Sequence, residues 1–279
     1  MNAQISALQA LDMAPGWDPD GALIEELKGG LTNANRVYRV RSKDYECVLR
    51  LGSEDSEIFG ANRNRELEIM QAAQEAGIAP RVLYSNPDAG ILMTEYLHGR
   101  VWQESDLESD ENIEALADIL RKVHALQTRS GPIDLVGIAE KYERHLESRH
   151  GLHAFAVNCV RIIRECFVPE NITCCHNDIV ATNVIDAGRL KLIDWEYACA
   201  NDPLFDLASL IGFHNFDDTR QQKLLSAYAG GATNDLTERL AEQVRVFDAI
   251  QWLWLATRQL RLPQAEQARR LEELQMRIR

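Results

Sequence analysis

Three oxygen-bearing side chains stand close together in the second half of the chain, in the segment CCHNDIVATNVI and the following LKLIDWEYA. Asn183 lies five residues after Asp178, and Asp194 comes eleven residues after Asn183, at the end of an apolar run. One carboxylate can orient and deprotonate an attacking hydroxyl, while the amide and the second carboxylate are oxygen ligands suited to magnesium. Phosphoryl transfer from ATP needs this combination. Asp178 is therefore the candidate catalytic base, and Asn183 and Asp194 are the candidate metal ligands.

Short apolar runs on either side of these residues predict the strands that must position them. Ile172–Cys175 precedes Asp178, and Leu190–Ile193 leads into Asp194. These two runs would form a rigid hairpin that holds the three polar groups at one end.

The first third of the chain predicts short strands with one helix. Alternation over 37–41 and the run ECVLRL at 46–51 are typical of strands. Apolar residues recur at helical spacing over 62–76, and Gly77 ends that helix. The runs RVLYSN and ILMTEYL, on either side of the turn 87–90, predict a hairpin.

After about Gly99 the pattern becomes helical. One amphipathic stripe covers 110–126, and 138–167 is also largely helical, with Gly151 as the expected interruption. From Leu204 to Leu262 helical patterns resume in three segments. The shift in composition near residue 97 predicts two domains, 1–97 and 98–279, that share a cleft.

Composition excludes several classes of protein. The 279 residues carry a net charge of −13, which argues against nucleic-acid binding because phosphate backbones need basic surfaces. A hydrophobic fraction of 46% and a charged fraction of 26% are ordinary for a globular chain and exclude disorder. The six cysteines show no C-x-x-C spacing, and neither a targeting segment nor a membrane-spanning run is visible. We expect a cytoplasmic protein with reduced thiols and without a membrane span.

The motif H-x-D-x-x-x-x-N followed by I-D-W-E resembles that of the choline/ethanolamine kinases, which are related to aminoglycoside phosphotransferases and thiamine kinase. Similar segments follow in family order over nearly the whole chain: GGLTN, VLRL, RNRELEIM, MTEYLHGR, LADILRKVHAL and DPLFDLASL. The resemblance implies an α+β, bilobal, protein-kinase-like fold. A small antiparallel-sheet lobe with one helix (1–97) would bind the nucleotide. A larger, mainly helical lobe (98–279) would carry the catalytic loop and the substrate pocket.

The same resemblance implies ATP and Mg²⁺ as cofactors and assigns a nucleotide site. Arg50 stands where aminoglycoside kinases have lysine and where choline kinases tend to have arginine, and Glu66 would be its helix partner. His176 and Asp206 would brace the catalytic loop without taking part in the chemistry. The remaining nucleotide contacts would come from the phosphate loop and the adenine hinge: Gly30, Thr32, Asn33, Glu95, Tyr96 and Leu97.

The resemblance also implies a small cationic alcohol as substrate, most directly choline or ethanolamine. Glu196 and Tyr197 form the acidic-aromatic pair that follows the metal aspartate, and carboxylates and aromatic faces suit a quaternary ammonium. Trp252 and Trp254 lie on a late helix, where residues two apart point in different directions, so at most one faces a pocket; Trp254 is the candidate. Thiamine kinase, an aminoglycoside or amino-sugar kinase, and a nucleotide-binding pseudokinase remain alternatives.

Overall fold

The computed structural model describes residues 5–17, 19–27, 35–53, 60–129 and 131–278. It divides into two compact units, and the first comprises Met1–Trp102 and Thr182–Tyr197. The second comprises Gln103–Ala181 and Ala198–Arg279. The segment that carries Asn183 and Asp194 therefore belongs with the first unit, whereas the sequence assigned everything after residue 97 to the second domain.

The first unit is built on an antiparallel sheet of five strands in the order β1-β2-β3-β5-β4. The strands are β1 (Leu23–Glu26), β2 (Arg36–Arg41), β3 (Glu46–Leu51), β4 (Val82–Asn86) and β5 (Ile91–Glu95). One face packs on the short helix α1 (Ala7–Asp12), and Leu49, Met93 and Leu11 are fully buried in the core between them. The turn at 87–90 joins β4 to β5, as predicted, and Gly90 takes a positive φ of 66° there.

Helix α2 and a small second sheet complete this unit. Asn62 caps α2 (Arg63–Glu75) by accepting a hydrogen bond from the amide of Arg65. The strands β6 (Arg100–Val101), β8 (Val184–Asp186) and β9 (Leu190–Leu192) form the second sheet, with β8 in the centre.

The second unit is mainly helical. Its two short strands are β7 (Thr173–Cys175) and β10 (Cys199–Asn201), which pair antiparallel. Its helices are α3 (Asp110–His124), α4 (Leu135–Leu146), α5 (His150–Cys166), α6 (Leu204–His214), α7 (Asp218–Ala229), α8 (Asn234–Gln259) and α9 (Ala265–Arg277). Almost every side chain of α6 is buried, because this helix packs against α8.

The predicted α+β class, with an antiparallel sheet followed by a mainly helical remainder, is confirmed. Three details of the prediction were wrong. The runs 172–175 and 190–193 do not pair with each other, because β7 pairs with β10 and β9 pairs with β8 in a different sheet. The interruption between α4 and α5 falls at 147–149, and Gly151 lies inside α5, where the first helical turn tolerates glycine. The helix α9 was not predicted because its residues are strongly polar. In the part of the chain that the structure describes, no helix is long and apolar enough to cross a membrane.

Candidate active site

The hairpin β8–β9 brings the two candidate metal ligands together. Val184 pairs with Leu192, and the amide of Ile193 donates to the carbonyl of Asn183 at 3.0 Å. Asn183 and Asp194 therefore lie at the same end of the hairpin, as its register requires. Asp194 adopts a left-handed backbone conformation with φ of 64°, which is uncommon for a residue with a side chain. Such strain is often found at functional sites.

Arg50 and Glu66 form a buried, two-pronged ion pair. Nη1 and Nη2 of Arg50 each donate to one carboxylate oxygen of Glu66 at 2.5 Å, and both residues are more than 90% buried. Burial alone would raise the pKa of Glu66, but the charge and hydrogen bonds of Arg50 lower it below its ordinary value. The predicted pairing of strand β3 with helix α2 is therefore present. It fixes a cation 3.5 Å from the carboxylate of Asp194.

Arg63 and Glu196 extend this pair into an ion-pair cluster. Nη1 of Arg63 lies 3.1 Å from both Glu66 and Glu196, and Asn35 donates to Glu196 at 2.8 Å. Asn35 also accepts from Nη2 of Arg63 at 2.9 Å. The sequence predicted that Glu196 faces a substrate cation. Its side chain is only 3% exposed, and the Oε2 atom is bonded to protein partners.

The cluster changes the acidity of Asp194. Burial and the nearby charge of Glu196 raise the pKa of Asp194 to about 7, and the charge of Arg50 opposes this shift. A divalent cation would favour the ionised form, because metal ligands bind as carboxylates. The donor set of one carboxylate and one amide oxygen fits magnesium.

We expect Arg50→Lys to lower the free energy of unfolding by about 1–2 kcal/mol, because an ammonium cannot reproduce the two parallel hydrogen bonds to Glu66. Arg41→Lys is the matched control on β2. Arg41 contacts Glu25 through one nitrogen and both side chains are 40% or more exposed, so the cost should be under about 0.5 kcal/mol. Urea denaturation measures both. Equal losses for the two variants would contradict the geometry.

In the second unit, the loop that carries Asp178, residues 176–181 (the Asp178 loop), is fastened to α6. Four of its amides donate to α6 side chains at 2.6–3.1 Å: those of His176 and Asn177 to Asp206, that of Ile179 to Ser209, and that of Ala181 to His214. Asp206 and Ser209 are fully buried. Asp206 therefore braces the loop, as predicted, and His176 is a buried residue of that brace.

A buried polar cluster surrounds Asp206. The Nε2 atom of His124 lies 3.0 Å from Asp206, and its Nδ1 atom lies 2.7 Å from the hydroxyl of Tyr228. The thiol of Cys175 is within 4.8 Å of both His124 and Asp206. Burial raises the pKa of that thiol, so it stays protonated, and both imidazole nitrogens already have partners. This cluster is thus a hydrogen-bond network suited to holding the Asp178 loop.

The two tryptophans of α8 have different environments. Trp252 is 1% exposed and packs on Phe155 with ring centroids 4.6 Å apart, so it belongs to the core. Trp254 is partly exposed, and the guanidinium carbon of Arg258 lies 5.3 Å from its ring centroid. One face of Trp254, the candidate substrate residue, therefore already contacts an arginine of the same chain.

The remaining predicted nucleotide residues fall into two groups. Glu95 ends β5 and accepts from the amide of Arg81, and Arg39 stacks over the ring of Tyr96 at 4.0 Å. Leu97 follows in the same segment. The predicted phosphate-loop residues Gly30, Thr32 and Asn33 lie outside the residues that the structure describes.

Comparison with known protein families identifies the family to which this chain belongs. Residues 24–217 match the family model for choline/ethanolamine kinase, which is more than half of the chain. The chain belongs to the choline/ethanolamine kinase family. Ethanolamine kinase 2 from Mus musculus is 26% identical over 216 residues, which cover 71% of this chain and 55% of the mouse protein. The chain thus spans little more than half the length of that relative.

Solved structures of this family share the fold. A choline/ethanolamine kinase family protein from Mesorhizobium loti aligns with a TM-score of 0.76 at 24% identity, covering 98% of this chain and 92% of that one. Choline kinase LicA from Streptococcus pneumoniae aligns with a TM-score of 0.75 at 23% identity, covering 92% of each chain. LicA has also been solved in complex with AMP, with a TM-score of 0.74 at 23% identity and coverage of 92% and 91%. The predicted kinase-like fold is confirmed.

Several residues that lie in the site of this kinase-family member were not predicted from the sequence. Arg63 precedes Glu66 by three residues, and that helical spacing was a usable signal for an ion pair. Asn35 and His214 gave no signal, because their partners, Glu196 and the Ala181 amide, are distant in sequence.

Proposed function

We propose that this chain is an ATP-dependent phosphotransferase that phosphorylates the hydroxyl of a small cationic alcohol, with choline and ethanolamine as the first candidates. The observation that carries the proposal is the grouping of Arg50, Glu66 and Asp194. A guanidinium held by two hydrogen bonds lies 3.5 Å from a carboxylate at the end of a hairpin. That is the arrangement of charges needed beside a nucleotide phosphate and its metal ion.

Each polar group has a role in this proposal. Asn183 and Asp194 would hold magnesium, which neutralises charge on the phosphates of ATP. Arg50, kept in place by Glu66, would contact phosphate oxygens. Asp178, in the loop fastened to α6, would orient the substrate hydroxyl and accept its proton. The family model and the AMP complex of LicA support ATP as the nucleotide.

The choice of alcohol rests on the relatives and on Tyr197 and Trp254. The relatives are named as ethanolamine and choline kinases. An aromatic face attracts a quaternary or primary ammonium. Arg258 already contacts one face of Trp254, so in this proposal the substrate cation contacts the remaining part of this partly exposed residue. Because Glu196 is bonded to Arg63 and Asn35, we assign it to the ion-pair cluster, and Tyr197 and Trp254 remain the proposed substrate residues.

The proposal is tested by measuring ATP consumption with magnesium across choline, ethanolamine, thiamine and an aminosugar. Turnover should be greatest with choline or ethanolamine and should yield the phosphorylated alcohol, detected by ³¹P NMR. Preferred turnover of thiamine or the aminosugar would overturn the substrate assignment. Binding of ATP without turnover of any alcohol would contradict the enzymatic role itself.

Proton release on nucleotide binding tests the role of Asp194. With its pKa at about 7, binding of Mg·ATP should release about half a proton at pH 7, since the metal takes only the ionised form. The release should vanish well above that pH. Below about pH 6, affinity should fall about tenfold per pH unit.

Calorimetry in two buffers of different ionisation enthalpy, with magnesium in excess so that the nucleotide is already ionised, measures this release. Asp218→Asn, an exposed carboxylate on α7, is the control and should leave the release unchanged. A release close to zero from pH 6 to 8 would exclude Asp194 as a protonated ligand.

A further inference from the structure

The C-terminal end of α6 carries a histidine that touches the Asp178 loop. The amide of Ala181 donates to Nε2 of His214 at 3.1 Å, and the His214 side chain is 9% exposed. An imidazole nitrogen that accepts from an amide cannot carry a proton, so His214 is neutral with its proton on Nδ1. The Nδ1 atom faces Glu104, whose nearest oxygen is 3.7 Å away.

The surroundings of His214 favour that neutral form. Burial lowers the pKa of His214, and the charge of Arg270 lowers it further, although Glu104 acts in the opposite direction. The end of α6 is itself held by α9. Arg270 and Arg277 both donate to the carbonyl of Gly212, and both contact the side chain of Asn215. These arginines satisfy a carbonyl group that a helix end leaves without an intrahelical partner.

The position of Ala181 in the chain gives this contact its significance. Ala181 lies three residues after Asp178 and two before Asn183, so its amide is between the proposed base and the first proposed metal ligand. Asp206 and Ser209 already hold the earlier amides of the loop, at His176, Asn177 and Ile179. Only His214 holds its last residue among the side chains described on α6.

We propose that His214 is a positioning residue for the phosphoryl-transfer reaction, accepting the Ala181 amide through Nε2 and so fixing the end of the Asp178 loop. Its role in catalysis rests on the proposed function. A small displacement of a catalytic group is costly, because the reacting atoms must be aligned within a fraction of an ångström. The helix α9 supports this role by fixing the last turn of α6.

Three substitutions separate the hydrogen bond from the bulk of the side chain. In His214→Gln the amide oxygen takes the place of Nε2, because both atoms are separated from Cβ by the same number of bonds. In His214→Asn the oxygen takes the place of Nδ1, so the Ala181 amide loses its partner. His214→Leu fills the space without an acceptor. His150→Leu, an exposed histidine at the start of α5, is the control.

Two measurements do not depend on activity. In the wild type, ¹⁵N NMR of the imidazole should show Nδ1 protonated and Nε2 not. Hydrogen exchange at Ala181 should be about five- to tenfold faster in His214→Leu and His214→Asn than in the wild type. His214→Gln and His150→Leu should match the wild type. If His214→Leu does not fold, the comparison of Asn with Gln decides.

Turnover supplies the third measurement. We expect kcat to fall about tenfold in the Leu and Asn variants with little change in KM for ATP, and Gln to restore most of it. Equal exchange and equal kcat in the Gln and Leu variants would overturn the proposal, as would a proton on Nε2. If the wild type phosphorylates no alcohol, the proposed function fails. The imidazole and exchange data would then decide whether His214 holds the loop.

Discussion

Asp178→Asn should lower kcat for alcohol phosphorylation by at least about 10²-fold, because an amide cannot accept the proton of the attacking hydroxyl. The substitution keeps the size of the side chain and does not alter the four amides of the Asp178 loop that donate to α6. The pairing of Arg50 with Glu66 does not involve this carboxylate. ATP affinity and the midpoint of thermal unfolding should therefore change little.

The measurement is a steady-state assay of phosphorylated product beside calorimetric binding of Mg·ATP. Asp218→Asn is the matched control, since it makes the same chemical change at an exposed position of α7, and it should retain wild-type kcat. If the Asp178 variant keeps near-normal turnover, the assignment of the base is wrong. If ATP binding falls in parallel with turnover, the residue has a structural role that the proposal does not include.

Local patterns in the sequence predicted most of the elements that hold this site. The strand that leads into Asp194, the strand with Arg50 and the helix with Glu66 each follow from periodicity and turn residues within a few positions. The pairing of Arg50 with Glu66 came from resemblance to a family whose members share it. Such resemblance carries three-dimensional information that composition and spacing do not contain.

What could not be predicted depends on contacts between residues far apart in the chain. Glu196 was expected to face substrate, yet Asn35 reaches it from 161 positions away and Arg63 from 133. Acidic and aromatic neighbours suggested cation binding, but the sequence does not show that an arginine already neutralises the carboxylate. His214 was missed for the same reason, because its partner, the Ala181 amide, lies 33 positions away in the chain.

Glu66→Gln should be the most destabilising of these changes, because it leaves the guanidinium of Arg50 buried beside a neutral amide. Removing one partner of a buried ion pair typically costs about 3–5 kcal/mol of unfolding free energy. Arg50 is 8% exposed and retains the longer contact of 3.5 Å with Asp194, and Arg63 loses a partner as well. Glu75→Gln, on the exposed surface of the same helix, is the control and should change stability by less than about 0.5 kcal/mol.

The double variant Arg50→Met with Glu66→Leu separates stability from function. A buried ion pair replaced by apolar side chains of similar size is often no less stable than the original, so this variant should lie within about 2 kcal/mol of the wild type in urea denaturation. Mg·ATP binding and alcohol phosphorylation should nevertheless be lost, because no cation remains 3.5 Å from Asp194 to contact the phosphates. A stable double variant that still phosphorylates its alcohol would show that the pair serves only the fold. A stable, inactive one would show that this chain keeps a buried ion pair for the nucleotide and at no gain in stability.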